Sequence, residues 1–136
     1  LQRHPDPRAA ARHLVADVVV SRKRIPGFGH RIHAVDPRQA VLFDLARRYG
    51  IAGKGVAFAE AVREEFAASG RTLPVNVDGA IAAILYDLGL PSHLGKAVFI
   101  MGRVAGVAAH VVEELSRERP MRFRFSFAYD GPEPPS

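Results

Sequence analysis

The chain has 136 residues, no cysteine and a formal net charge of +5 at pH 7. This length fits one ordinary domain, and the 48% hydrophobic and 24% charged content is typical of a soluble globular protein. The lack of cysteine excludes disulfides, thiolate metal sites and a cysteine nucleophile, and it fits a reducing cytoplasm. No histidine stands at metal-ligand spacing with a partner, so we predict no metal site.

The first residues show no signal pattern, and the longest apolar stretch is residues 97–112. Arg103 interrupts this stretch, which is shorter than the roughly 20 residues needed to span a bilayer, so no membrane contact is predicted. The basic residues are scattered in short groups along the chain. We therefore expect a compact anionic ligand, such as a phosphorylated cofactor or a polycarboxylate, rather than nucleic acid.

The pattern predicts an all-α fold of helices joined by short loops. Asp-Pro pairs mark two helix starts, at residues 6–7 and 36–37, and prolines and glycines make residues 22–33 a loop. The predicted helices cover residues 7 to about 20, 37–50, about 55–68, 79–88, and a long one that Ser92 caps and that ends near 118. From Pro120 the aromatic residues alternate with polar ones, which indicates an extended tail.

Three helix faces are expected to pack. The second helix carries Val41, Leu42, Leu45 and Ala46; the third carries Val56, Ala59, Val62 and Phe66; and the last carries the small residues Gly102, Ala105, Gly106 and Ala109. Such a last helix suits packing against something larger, either a second copy or the rest of a longer protein.

His30 and Asp78 are the candidate acid/base pair. His30 follows the glycines of a Pro26–His30 bend, and Asp78 stands at the start of an apolar helix. If the fold brings them together, they can move protons to and from carbon or oxygen at neutral pH. Each has a structural alternative, because Asp78 is well placed to be a helix N-cap and His30 to satisfy a loop carbonyl.

Two arginines are candidate anion ligands. Arg38 lies in the first turn of the second helix, and Arg103 interrupts an apolar helix face. A buried charge there is costly unless paired, so either an internal salt bridge or a ligand carboxylate should neutralise Arg103.

Four motifs carry a family resemblance. They are Pro26-Gly-Phe-Gly-His-Arg-Ile with Asp36-Pro-Arg38, Pro74-Val-Asn-Val-Asp78, Met101-Gly-Arg-Val-Ala-Gly106 with His110, and Glu118-Arg-Pro120. In this order and at these intervals, they resemble the C-terminal part of the citrate synthase family, from about Arg24 to Gly131. The resemblance implies a helical small domain, residues 24–90, preceded by a helix from the large domain, residues 1–23. Residues 91–136 would be the C-terminal large-domain helix and tail.

The same resemblance assigns roles to individual residues. His30 would hold the carbonyl or hydroxyl of a four-carbon acid, and Asp78 would exchange a proton with the acetyl methyl of acetyl-CoA. Arg38 and Arg103 would bind substrate carboxylates, and Arg119 would reach into the neighbouring site of a homodimer. The loop residues Pro26, Gly27, Phe28 and Gly29, with Arg31, would wrap coenzyme A, which acts as a thioester substrate rather than a tightly bound cofactor.

Two departures favour a citryl-CoA lyase within this family. Gly79 follows Asp78 where synthases usually have a bulky aromatic residue, and the stretch from His30 to Arg38 is one residue shorter. The expected reaction is cleavage of citryl-CoA to acetyl-CoA and oxaloacetate. Condensation by a citrate or 2-methylcitrate synthase is the alternative. Because nothing before Arg24 resembles the family's enol-stabilising histidine segment, the chain is expected to be part of a longer protein or a CoA- and carboxylate-binding piece without catalysis.

Overall fold

The computed structural model describes residues 6–30 and 35–117. Within these ranges it contains five helices and one isolated bridge, so the all-α prediction is confirmed. The helices are α1 (Pro7–Ser21), α2 (Pro37–Arg48), α3 (Lys54–Ala68), α4 (Val77–Asp87) and α5 (Leu94–Arg117). The predicted extended tail lies outside the described residues.

The Asp-Pro pairs begin helices as predicted. Asp6 caps α1 by accepting hydrogen bonds from the amides of Arg8 and Ala9, and Asp36 caps α2 by accepting from the amide of Arg38. In both, proline occupies the first helical position, where its lack of an N–H costs nothing.

α3 has no capping side chain of its own, because Gly53 stands at its N-cap. The carboxylate of Asp87, the last residue of α4, accepts from the amides of Gly53, Gly55 and Val56 at 2.8, 2.6 and 3.0 Å. A residue of one helix therefore caps another, and it ties the N-terminus of α3 to the C-terminus of α4.

The core has two clusters, formed where α1 packs on α3 and where α2 and α3 pack on α4. The predicted face of α3 is confirmed, since Val56, Ala59, Val62 and Phe66 are all buried. Phe28, from the loop after α1, packs against both clusters. The loop that carries His30 is thereby anchored in the core.

The predicted face of α2 is wrong in part. Val41 and Leu45 are 59% and 37% exposed, whereas Phe43 is fully buried and Ala46 nearly so. The reason is tertiary: α2 meets the core through Phe43, which packs in the cluster with Val56 and Val75.

The chain divides into two compact units, residues 1–102 and 103–136, with the boundary inside α5. No described residue of α5 is buried, and the close packing predicted for its small-residue face stays a prediction. α5 begins at Leu94, two residues after Ser92, and the cap at Ser92 stays a prediction.

α5 is longer than the apolar stretch of residues 97–112 from which no membrane contact is predicted. Its 24 residues reach a mean hydropathy of 1.4 over an 18-residue window, which is long and apolar enough to cross a membrane by length and composition alone. A core helix of a soluble protein passes the same test, so this single helix is weak evidence for a span.

Candidate functional site

The glycine-rich loop runs alongside the segment that leads into α4. The amide of Gly29 donates to the carbonyl of Pro74 at 2.7 Å, the amide of Asn76 donates to the carbonyl of Gly27 at 3.0 Å, and Phe28 and Val75 form an antiparallel bridge. Both loop glycines have φ of +85°, a conformation that other residues rarely adopt. The sequence pattern thus produces a short bend with one fixed path.

Asn76 joins this loop to the helix that carries Asp78. Its Oδ1 accepts from the amides of Asp78 and Gly79 at 3.0 and 3.1 Å, while its Nδ2 donates to the carbonyl of Gly29 at 3.0 Å. Asn76 is therefore the N-cap of α4, and the interpretation of Asp78 as the cap is wrong. Asp78 is exposed in the first turn, and its carboxylate takes no part in capping.

Gly79 meets Gly27 at the closest approach between loop and helix. A Cβ on Gly79 would lie 2.3 Å from the carbonyl oxygen of Gly27, and a Cβ on Gly27 would lie 2.9 Å from the Cα of Gly79. Any side chain at position 79 would push the loop away from α4. The glycine that follows Asp78 is thus a geometric requirement of this site.

His30 and Asp78 line different cavities, although one residue, Asn76, links their segments. Asp78 lines a mainly apolar cavity of about 460 Å³ with Pro26, Gly27 and Tyr86. It also lines a second cavity of about 410 Å³ that includes Phe99. Asp78 is exposed and borders both cavities.

His30 lies on the wall of a basic cavity of about 350 Å³. Four cationic side chains line the same cavity: Arg22, Lys23, Arg24 and Arg71. Such a concentration of cations suits a multiply charged anion. The Arg22-Lys23-Arg24 run stands out in the sequence, but Arg71 joins it only because the fold places the segment after α3 beside this loop.

Arg38 is held by Asp36. Its Nε donates to Oδ1 of Asp36 at 3.0 Å and its Nη2 to Oδ2 at 2.9 Å, and the Arg38 side chain remains 52% exposed. The hydrogen bonds that Arg38 donates to Asp36 raise the pKa of Arg38 above its usual value, and the negative charges of Asp36 and Asp78 act in the same direction. Arg38 is therefore a cation held in one orientation and partly accessible to solvent, and it interacts electrostatically with Asp78.

Arg103 belongs to the second unit, where it is exposed. It lies one helical turn from Ile100 and Val107, so its face is apolar as expected, but the face is exposed in the described residues and the charge is not buried there. Among the described residues Arg103 has no salt-bridge partner. A ligand carboxylate therefore remains the hypothesis for the group that pairs with it. Arg31 and Arg119 lie outside the described residues. Within residues 6–30 and 35–117, no group of three or more histidine or acidic residues could hold a metal ion.

Comparisons with known proteins place these features in one family. The family model for the citrate synthase C-terminal domain matches residues 2–124. Citryl-CoA lyase from Hydrogenobacter thermophilus is 42% identical, with a TM-score of 0.73 over 93% of this chain and 52% of that one. Citrate synthase from Thermotoga maritima is 27% identical, with a TM-score of 0.68 over 92% of this chain and 35% of that one.

Curated relatives give the same result. Citrate synthase 2 of Bacillus subtilis is 31% identical over 82% of this chain and 30% of its own length. The putative citrate synthase 2 of Mycobacterium tuberculosis is 34% identical over 93% of this chain and 35% of its own. The chain thus spans about a third of the length of these relatives. It belongs to the citrate synthase family and corresponds to its C-terminal domain.

Proposed function

We propose that this chain supplies His30, Asp78 and Arg38 to an active site that cleaves citryl-CoA into acetyl-CoA and oxaloacetate. The observation that carries the proposal is the contact of Gly27 with Gly79. It brings the His30 loop against the turn that carries Asp78, with no side chain between them. The 42% identity to the Hydrogenobacter citryl-CoA lyase supports the same choice within the family.

The proposed reaction uses the two residues as a base and an acid. His30 accepts the hydroxyl proton of the citryl group, and the carbon–carbon bond breaks as the alkoxide becomes the carbonyl of oxaloacetate. The electron pair of that bond goes to the acetyl-CoA enolate. Asp78 then returns a proton to the enolate carbon, which gives acetyl-CoA.

The arginines that the family resemblance assigns suit the charges of such a substrate. We assign the citryl carboxylates to Arg38 and Arg103, because a guanidinium binds a carboxylate through two parallel hydrogen bonds. The phosphates of coenzyme A fit the basic cavity beside Gly29, whose lining cations include Arg71. The Pro26–Gly29 bend and Arg31 would then wrap the nucleotide.

We also propose a cytoplasmic homodimer. In the second unit, Val104, Val107, Val111, Val112 and Leu115 are between 48% and 76% exposed, an apolar surface that a partner would cover. Arg119 would reach across that interface to the partner's site. The lack of cysteine suits the reducing conditions of the cytoplasm.

Citrate synthesis is the second candidate, because the curated relatives at 30% identity or above include citrate and 2-methylcitrate synthases. It uses the same residues in the opposite direction, followed by hydrolysis of the citryl thioester. A binding role without catalysis is the third candidate, and it predicts coenzyme A binding without turnover.

The products formed from citryl-CoA separate the three candidates. The protein as the cell makes it is supplied with citryl-CoA, oxaloacetate is measured by coupled reduction to malate, and free thiol is measured with a chromogenic disulfide. A lyase gives oxaloacetate and little thiol, whereas a synthase gives citrate and stoichiometric thiol. Absence of both products would leave only the binding role.

Asp78→Asn tests the assignment of the acid. We expect the variant to keep its stabilisation by coenzyme A while turnover falls by on the order of 10² or more, because the amide cannot transfer the proton. Asp17→Asn, an exposed change on α1, is the matched control. Unchanged turnover in Asp78→Asn would remove Asp78 from the mechanism.

A further inference from the structure

Asp36 is a fully buried carboxylate, with 0% of the residue exposed. It accepts four hydrogen bonds. Oδ1 accepts from the backbone amide and the Nε of Arg38, both at 3.0 Å, and Oδ2 accepts from Nη2 of Arg38 at 2.9 Å and from the amide of Val77 at 3.0 Å. Two oxygens with two donors each satisfy the carboxylate, which allows its charge to stay buried.

The four bonds join two parts of the chain that are 41 residues apart. Arg38 lies in the first turn of α2, and Val77 is the first residue of α4, directly before Asp78. Oδ2 accepts from both, so a single atom sets the direction of the guanidinium and the position of the helix start. Any movement of Asp36 would displace both together.

The chain contains an internal comparison for this role. Asp6-Pro7-Arg8 and Asp36-Pro37-Arg38 are the same tripeptide, and each begins a helix. Both oxygens of Asp6 cap backbone amides, those of Arg8 and Ala9, and Asp6 is exposed. In Asp36 only one of four bonds serves the cap of its own helix, and the others go to the Arg38 guanidinium and to α4. Helix capping therefore accounts for Asp6 but for only part of Asp36.

We propose that Asp36 is a positioning residue, which holds the guanidinium of Arg38 and the Asp78-bearing turn of α4 in one register so that a bound carboxylate is presented to Asp78. The inference rests on the proposed function, since it takes Arg38 as the carboxylate ligand and Asp78 as the proton donor. Asp36 itself is buried beneath Arg38 and acts only through it and through α4.

The test is a double-mutant cycle in the protein as the cell makes it, using Asp36→Asn, Arg38→Gln and both together. Turnover is followed for citryl-CoA cleavage or for condensation, whichever the protein performs. We expect Asp36→Asn to lower kcat/KM by on the order of 10-fold to 100-fold, because small displacements of a positioning group are costly. In the Arg38→Gln background the same change should have a much smaller effect.

Two ligands and one control variant separate positioning from a loss of structure. Asp36→Asn should lose the thermal stabilisation given by citrate but keep the stabilisation given by coenzyme A, which needs no bound carboxylate. Asp6→Asn, the same change at the matched cap, should keep both responses and full turnover. If Asp36→Asn lowers kcat/KM by the same factor with Arg38 and with Arg38→Gln, Asp36 is only a helix cap. The same conclusion follows if Asp6→Asn lowers kcat/KM as much as Asp36→Asn does.

Arg38→Lys keeps the inference testable if Asp36→Asn does not fold. Lysine retains the positive charge but cannot donate to both oxygens of Asp36, so we expect a loss of the citrate response close to that of Arg38→Gln. Full activity of Arg38→Lys would overturn the positioning role. The proposed function fails separately: if Arg38→Gln and Asp78→Asn both leave turnover unchanged, the site assignment is wrong, whatever Asp36 does.

Discussion

Gly27 and Gly79 lie backbone against backbone, with the position of a Cβ on Gly79 only 2.3 Å from the carbonyl oxygen of Gly27. That same carbonyl accepts from the amide of Asn76, which caps α4. The contact is therefore part of the hydrogen-bonded joint between the His30 loop and the Asp78 helix. A residue larger than glycine at position 79 would open this joint.

Gly79→Ala should lower the free energy of unfolding by about 1–3 kcal/mol, because the methyl group overlaps backbone that cannot rotate away. It should lower turnover as well, since the loop that carries His30 must move. Urea unfolding and the citryl-CoA assay measure the two effects. Gly95→Ala is the matched control for stability: its Cβ would meet only the Leu85 side chain, at an ordinary contact distance of 3.8 Å, and alanine favours a helix, so stability should stay level or rise.

The outcome at Asn76 and Asp78 shows what local sequence could predict. Asn76 and Asp78, both cap-forming residue types, stand on either side of the first residue of α4, and the sequence alone offers Asp78 as the default cap. Asn76 is the cap because its amide also donates to Gly29, 47 residues away, and no local pattern contains that contact. The caps at Asp6 and Asp36 follow from the sequence because an aspartate before proline marks a helix start through local contacts, whatever other partners the carboxylate has.

The candidate site likewise combines features that the sequence predicts with features that it does not. The glycine bend, the Arg38 position and the glycine after Asp78 could be read from motifs. The burial of Asp36 and the arrival of Arg71 beside His30 depend on tertiary packing. The exposed Val41 and buried Phe43 of α2 reflect the same limit, because helical spacing allows several faces and the neighbouring helices select one.

Acid should weaken the fold through Asp36. The Arg38 hydrogen bond and the amides of Arg38 and Val77 lower the pKa of Asp36 from 3.8 to about 2, against the opposing effect of burial. Between about pH 4 and pH 2 the unfolded state therefore binds more protons, and the free energy of unfolding falls as the pH falls. The loss is at most about 2 kcal/mol, because Arg38 is half exposed and solvent screens the pair.

Urea unfolding at pH values from 5 to 2 measures this slope. Asp36→Asn should lack this part of the pH dependence, and Arg38→Gln should reduce it, because burial then raises the pKa of Asp36 without opposition from the guanidinium. Equal slopes in the unmodified protein and in Asp36→Asn would show that other carboxyl groups cause the acid sensitivity.

Asp87 should stabilise the junction of α3 and α4. Asp87→Asn leaves one acceptor oxygen for the three amides of Gly53, Gly55 and Val56, so the free energy of unfolding should fall by about 1–3 kcal/mol. Asp17→Asn removes a carboxylate that is 70% exposed, and it should change stability by less than about 0.5 kcal/mol. Similar small effects in both variants would mean that the cross-helix cap contributes nothing measurable.

Arg103→Leu should abolish the rise in melting temperature that citrate causes, because the variant removes a ligand of the substrate carboxylates. The melting temperature without ligand should change little, since Arg103 is exposed and carries no burial cost. Arg117→Leu is the matched control on the same helix, where Arg117 pairs with Glu113. If citrate raises the melting temperature of Arg103→Leu as much as that of the control, Arg103 is not a carboxylate ligand.

Subunit complementation tests the shared site of the proposed homodimer. Arg119→Ala and Asp78→Asn dimers should each be inactive when Arg119 completes the partner's pocket. After mixing and subunit exchange, half of the sites in a hybrid dimer carry both changes and half carry neither. Activity should therefore reappear, to about a quarter of the unmodified level when exchange is complete and the subunits assort at random, because hybrids form half of the dimers.

Differently tagged subunits report exchange independently of activity, and a mixture of Asp78→Asn with Asp78→Ala is the matched control, since every site then lacks Asp78. Exchange without recovery in the Arg119 mixture would place Arg119 in its own subunit's site or outside it. Recovery in the control mixture would show that the activity arises from something other than shared sites. Recovery in the Arg119 mixture alone would establish that each active site takes its carboxylate from one copy and its arginine from the other.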